Sequence, residues 1–295
     1  MLRAIIELTK PRQTLLMIVT MIGAYIIGGG DLASRVFALL LLTGVFSIGG
    51  ATALNMYMEY DIDRVMKRTS RRPLPSGLVS RNAALTLSIA FMGLGVFFSS
   101  MINNAVVLSV AAGYYFYILS YTSLTKRYFP LASLLLGSIA GSMPTLGGWA
   151  AAKGYISVEG VLLASLVFLW QPGHVALLSY YYRDDYKAAG VRVLTESSPE
   201  ARLKLALVAS TTLLIVVIWL FVLMEGIGFL GALASSLLAT RIIREAEKIR
   251  EAPSKRQLIG LFRNIGTLIA IPYTIIPLEA LFVGPFYLAI ASLIS

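Results

Sequence analysis

The chain has 295 residues, of which 57% are hydrophobic and only 14% charged, with no cysteine. A mean hydropathy of +0.78 excludes an ordinary soluble domain, and the missing cysteine excludes disulfides, thiolate metal sites and a cysteine nucleophile. The net charge of +10 would suit nucleic acid or an anionic surface, but its distribution argues for a different cause.

Measured against the roughly 20 apolar residues a bilayer span requires, the sequence predicts an all-α polytopic membrane protein. Nine transmembrane helices are expected, near residues 13–30, 36–60, 82–101, 104–123, 129–150, 157–182, 204–224, 226–241 and 264–293. The first is read as an uncleaved span because Gly28, Gly29 and Gly30 make a poor cleavage site. The ninth carries Pro272, Pro277 and Pro285, so kinks or a break are expected there. Of the 25 Lys and Arg residues, only Arg35 and Lys153 fall in the loops of one side. That asymmetry predicts a cytoplasmic N-terminus in the cell membrane and accounts for the high pI without nucleic acid. The longest polar loops, 61–81, 183–203 and 242–263, all fall on the basic side. None is large enough to fold alone, so residues 1–295 are expected to form one domain. The last of these loops reads as an interfacial helix, broken at Pro253 and Ser254.

Chemistry concentrates at the end of the second predicted span, in NMYMEYDIDRVMKRTSRRPLPSG from Asn55 to Gly77. Asn55, Glu59 and Asp63 recur every four residues, which stacks two carboxylates and a carboxamide along one helix face. Asp61 points roughly the other way. Arg64, Lys67, Arg68, Arg71 and Arg72 follow at once. Oxygens for a hard cation beside phosphate-seeking cations suit a metal-bound diphosphate. The plainer alternative is a solvated helix end obeying the positive-inside rule.

A second cluster lies at the end of the sixth predicted span, in FLWQPGHVALLSYYYRDDYKAAGVRVL from Phe168 to Leu194. His174, the only histidine, lies about three turns before Asp184 and Asp185. Taken alone, such a histidine is more often a packing hydrogen-bonder than a ligand. A third piece, YTSLTKRYFP from Tyr121 to Pro130, brings Lys126 and Arg127 to the same side. GSIAGSMPTLGGWAA then supplies small residues for close helix packing; no strand precedes it, so it is not a phosphate loop.

These pieces together resemble the protohaem IX farnesyltransferase (haem O synthase) branch of the UbiA-type intramembrane prenyltransferase superfamily. The resemblance rests, in order, on LTKPR at 8–12 and Asn55 to Gly77 with DID, RT and RPL. It continues with YT and KR around Tyr121 and Arg127, GSMPTLGGW up to Trp149, WQPGH at 170–174, DYKAAG at 185–190 and LFR at 261–263. The chain departs from that pattern in two places. Glu59 replaces the family's Asp, lengthening the arm by one methylene. Gly173 replaces the family's proline, with Pro172 one position earlier. Quinone-type relatives carry two Asp four apart in the second motif, whereas Tyr181 stands four before Asp185 here. That favours the haem branch over a quinone-precursor or glycerol-lipid acceptor. A non-catalytic haem or lipid transporter is disfavoured because the sequence shows no internal inverted repeat and its ionisable residues cluster at one mouth.

The resemblance implies a Mg2+-dependent prenyl transfer from farnesyl pyrophosphate to a vinyl group of haem B. Asn55, Glu59, Asp63 and Asp185 would serve as catalytic metal ligands, with Asp184 as helper at the diphosphate and His174 positioning haem. Lys67, Arg68, Arg72, Lys126 and Arg127 would bind phosphate oxygens, while Tyr57, Tyr117 and Tyr121 would face the allylic cation. Membrane lipid is the expected surrounding, without nucleic acid. A haem-A-synthesising partner and a homo-oligomer both remain open.

Overall fold

The computed structural model describes residues 2–282, and every regular element among them is helical. A short α1 (Leu2–Leu8) leads into α2 (Pro11–Ile27) and α3 (Arg35–Met58), with α4 (Tyr60–Val65) directly beyond. α5 (Arg81–Ser100) and α6 (Asn104–Tyr114) follow, and α6 runs on without a break as an 11-residue π-helix, Tyr115–Thr125. Next come α7 (Pro130–Lys153), α8 (Val158–Tyr181), α9 (Arg183–Ala188), α10 (Pro199–Glu225), α11 (Phe229–Glu247), α12 (Lys255–Ala270) and α13 (Ile275–Phe282). Side-chain caps set several starts: Ser34, Ser80 and Asn103 accept from Phe37, Ala83 and Val106 amides, and Ser254 forms a full capping box with Gln257.

Seven helical stretches are long and apolar enough to cross a membrane, and Pro11–Ile27 is a shorter apolar helix. The nine-span expectation is therefore not reached among the described residues. The predicted eighth span is a helix, but Arg241, Arg244, Glu245 and Glu247 in its last two turns leave too short an apolar stretch. The described part of the predicted ninth lies within the counted stretch Lys255–Phe282, with a break at Ile271–Thr274 that contains Pro272; Pro285 and residues 283–293 lie outside the described residues. No separate interfacial helix occupies 242–263. Its first part extends α11, its last part begins α12, and the break falls at Pro253 and Ser254 as expected.

Lipid tails are as apolar as leucine, so helices in a membrane associate through close packing more than through the hydrophobic effect. Small residues make that possible here. α2 lies on α7 so closely that a Cβ on Gly148 would fall 2.0 Å from the Met21 carbonyl oxygen. α3 meets α5 where a Cβ on Gly95 would reach the Ser47 backbone at 2.8 Å. A large apolar core joins α8, α10, α11 and α12 around Leu163, Leu207, Phe221 and Leu261. α3, the π-helix, α7 and α8 pack in sequence, and the polar ends of α3, the π-helix and α8 carry the three clusters noted above.

Candidate active site

α3 loses helical geometry at Glu59, whose φ and ψ are −91° and 12°. The four-residue register survives the break: the Glu59 amide donates to the Asn55 carbonyl at 2.9 Å, and the Asp63 amide to the Glu59 carbonyl at 2.8 Å. Asn55, Glu59 and Asp63 therefore stay on one face, only 2%, 4% and 2% exposed, while Asp61 is exposed. The spacing argument thus holds although the single continuous helix does not.

Each of the three oxygen donors has its own cation. Lys10 Nζ donates to Asn55 Oδ1 at 2.7 Å. Lys126 Nζ is ion-paired with Glu59 Oε1. Arg72 Nη1 spans Asp63 Oδ1 and Oδ2 at 2.9 and 2.7 Å. Asn55 Nδ2 completes the chain by donating to Glu59 Oε1 at 2.7 Å and Thr122 Oγ1 at 3.1 Å. Thr69, buried in the loop after α4, ties that loop down by donating to the Asp63 carbonyl at 3.0 Å.

Electrostatics follow from that pairing. Burial alone pushes the Glu59 carboxyl up, but the charges of Lys126 and Lys10 and the hydrogen bonds from Lys126 and Asn55 hold it below the usual range. Lys126 is raised: its Glu59 partner outweighs burial. Lys10 is lowered to about 7, first by burial and then by the charge of Arg72, with Glu59 opposing. Removing one partner from such a buried pair typically costs about 3–5 kcal/mol.

The π-helix shapes the second wall. Thr122, Ser123 and Thr125 hydroxyls donate back to the carbonyls of Tyr117, Ile118 and Ser120 at 2.7, 2.8 and 3.0 Å, five residues earlier in each case. That wide turn stacks Tyr117 on Tyr121 with ring centres 5.8 Å apart and planes 8° apart. Lys126 lies 5.3 Å from the Tyr121 ring centre. Long π-helices are rare and gather at functional sites.

The remaining expected residues are dispersed. Asp185 is half-buried and accepts from the Arg68 backbone amide at 3.1 Å. The Arg68 guanidinium lies over Tyr182 at 5.0 Å. Asp184 and Lys67 are exposed and make no side-chain hydrogen bond or ion pair among the described residues. Arg127 is exposed, with its guanidinium over Tyr128 and its carbonyl accepting from the Arg192 amide at 3.2 Å. Tyr57 packs in the cluster of Leu8, Met56 and Leu74 beneath Arg81, not with Tyr117 and Tyr121.

His174 occupies a different environment, on α8 facing α12. Its ring stacks on Trp170 at 4.2 Å and approaches Phe262 at 5.0 Å. Trp170 is itself fixed by donation from Nε1 to the Ile265 carbonyl at 2.8 Å. The buried Nδ1 of His174 has no hydrogen-bond partner among the described residues. One turn on, a cavity of about 190 Å³ opens between α8 and α12, lined by Leu177, Leu178, Tyr181, Tyr182, Leu258, Ile259 and Phe262. The Gly173 departure also has a use here, since a Cβ there would sit 2.7 Å from Ser210 Oγ on α10.

Among the described residues, no three His, Asp or Glu side chains converge as a ready metal cage. The donor set still fits magnesium, which is commonly held by one or two carboxylates with substrate phosphates completing the octahedron. Two buried carboxylates, one amide oxygen and flanking cations make such a partial cage. Lys10, Thr69 and Thr122 lie in the LTKPR, RT and YT motifs, but the sequence reading gave them no role at the site. Lys10 had one signal, a lysine immediately before Pro11 at the mouth of an apolar helix; the long-range hydroxyl contacts had none.

Comparison with known proteins shows the family and the fold. The model of the UbiA prenyltransferase family matches residues 16–266. A protoheme IX farnesyltransferase from Aeropyrum pernix is 48% identical over 94% of this chain and 92% of its own length. One from Korarchaeum cryptofilum is 36% identical over 93% of each. Among solved structures, a UbiA homologue from Archaeoglobus fulgidus bound to GPP and Mg2+ superposes with a TM-score of 0.69 at 19% identity, covering 92% of this chain and 99% of that one. With its apolar helices and this match, the chain is an integral membrane protein of the UbiA prenyltransferase family, in the protohaem IX farnesyltransferase branch.

Proposed function

We propose that this protein transfers the farnesyl group of farnesyl diphosphate to a vinyl group of protohaem IX, producing haem O in a magnesium-dependent reaction. The observation that carries the reading is the buried row of Asn55, Glu59 and Asp63, each matched by a cation, in a chain of this family. Asn55, Glu59 and Asp63 would hold the metal, with Asp185 and its neighbour Asp184 approaching from α9. When bound, magnesium supplies charge neutralisation for the departing diphosphate.

The chain's own residues do the rest. Arg72 and Lys126 bind phosphate oxygens, and Lys67, Arg68 and Arg127 extend the basic mouth that draws in the diphosphate. Tyr117 and Tyr121 present stacked faces to the allylic carbon as positive charge grows there. The bond from that carbon to the diphosphate oxygen breaks, and its bond to the terminal vinyl carbon of the haem forms. Water then adds to the inner vinyl carbon and loses a proton, leaving a hydroxyethylfarnesyl substituent. His174 holds the haem against the Trp170 and Phe262 face.

Nine passes through the cell membrane, an N-terminus in the cytoplasm, a single domain and a cytoplasmic active site complete the proposal, supported by the charge asymmetry of the loops. The test is incubation of detergent-purified protein with haem B, farnesyl diphosphate and Mg2+, followed by chromatography and mass spectrometry. The expected product carries one farnesyl and one hydroxyl on haem and disappears with EDTA. Haem recovered unchanged, with a quinone precursor or glycerol lipid prenylated instead, would remove the haem assignment.

A further inference from the structure

The cations at the active site come from three separate places: Lys10 from the junction of α1 and α2, Lys126 from the end of the π-helix, and Arg72 from the loop after α4. Two of them face carboxylates, where charge balance alone explains them. Lys10 faces a neutral carboxamide. The charges of Glu59 and Asp63 only partly offset the burial of this ammonium, and it makes three cations for two carboxylates, so its position requires another cause.

The backbone around Lys10 shows that the position is enforced. Its φ and ψ are 46° and 63°, one of only two non-glycine residues with positive φ among those described. The preceding carbonyl, Thr9, is gripped from two helices, by Thr14 Oγ1 at 2.7 Å and Thr52 Oγ1 at 2.9 Å. The ammonium so placed fixes the Asn55 amide with Oδ1 toward Lys10 and Nδ2 toward Glu59 and Thr122.

We propose that Lys10 is the third member of a set of placeholder cations, one on each metal-donor oxygen, which pass to the diphosphate only when metal and diphosphate bind together. Lys10 thus positions Asn55 in the free protein and binds diphosphate in the loaded one. The inference rests on the prenyl-transfer reading above. A dication alone would enter a buried site already holding three cationic side chains, and a diphosphate alone would face two carboxylates. Together they exchange partners with the protein, so each strengthens the other's binding.

The probes are Mn2+, followed by its paramagnetic resonance spectrum, and farnesyl thiodiphosphate, which resists ionisation. In the parent protein each should raise the other's affinity about tenfold or more. Lys10→Met should bind Mn2+ alone more tightly, because Asn55 Oδ1 is released. It should bind the thiodiphosphate about tenfold more weakly and lose most of the coupling. Lys10→Arg should restore both. Should Lys10→Met fail to fold, Thr52→Val, which loosens the Thr9 carbonyl, carries the same expectation at smaller size. Independent binding of the two probes in the parent overturns this inference and leaves prenyl transfer standing, as does Lys10→Met with parental affinities. A folded parent that binds neither probe overturns both.

Discussion

The row of Asn55, Glu59 and Asp63 and the His174 face of α8 are both built on membrane helices, yet they are finished in opposite ways. In the first, every side chain is buried and offers an oxygen to a cation, and the cations converge from distant parts of the sequence. In the second, a lone imidazole nitrogen is buried without a described partner, between two aromatic rings and next to a cavity. The difference follows from what each region is proposed to bind. A diphosphate brings charge that must be anticipated by fixed, compensated groups. A porphyrin brings a large apolar plane, for which flat aromatic surfaces and one uncommitted polar atom suffice.

The largest expected effect separates the regions outright. Asp63→Asn should cut turnover by about 100-fold or more while haem binding, followed by its absorption band, stays unchanged. Lys126→Met should be nearly as damaging to turnover and should also lower stability by about 3 kcal/mol, because Glu59 is left buried and unpaired. Glu59→Gln combined with Lys126→Met should regain most of that stability without activity, measured as the detergent-solubilised melting temperature. His174→Ala should weaken haem binding and haem prenylation about tenfold or more and leave farnesyl thiodiphosphate binding intact. Gly148→Ala, remote from both regions, should lower melting by about 1–3 kcal/mol through its collision with the Met21 carbonyl, leaving both ligand affinities unchanged in the folded fraction. Smallest of all, Trp170→Phe removes one hydrogen bond to the Ile265 carbonyl, about 1 kcal/mol, and should loosen haem but not diphosphate.

Much of the donor region was legible in the sequence because its logic is local. Four-residue spacing places Asn55, Glu59 and Asp63 on one face of a helix, and the hydrogen bonds from Glu59 to Asn55 and from Asp63 to Glu59 keep that register across the break at Glu59. Arg72 and Lys126 were legible as cations, though not which carboxylate each would meet. Lys10 was not, because its contact with Asn55 spans 45 residues and depends on a left-handed turn that sequence periodicity does not reveal. The π-helix was equally hidden: its hydroxyls reach back five residues, and a 3.6-residue pattern has no place for them. The seven stretches that are long and apolar enough differ from the nine expected for a related reason. Apolar composition from 226 to 241 marks a helix correctly, but the charged last turns of α11 decide how much of it crosses. Asp185 was expected opposite the donor row; its contact with the Arg68 amide, a loop contact, is one that no helical spacing encodes.

The central claim is that diphosphate and haem are bound by separate regions of one membrane helix bundle. It is tested most directly by parallel binding isotherms of farnesyl thiodiphosphate with Mg2+ and of haem B, on the parent, Asp63→Asn and His174→Ala proteins. The account predicts a crossed pattern: Asp63→Asn loses the thiodiphosphate and keeps haem, and His174→Ala does the reverse. Loss of both ligands in both folded variants, or of neither in either, would contradict it.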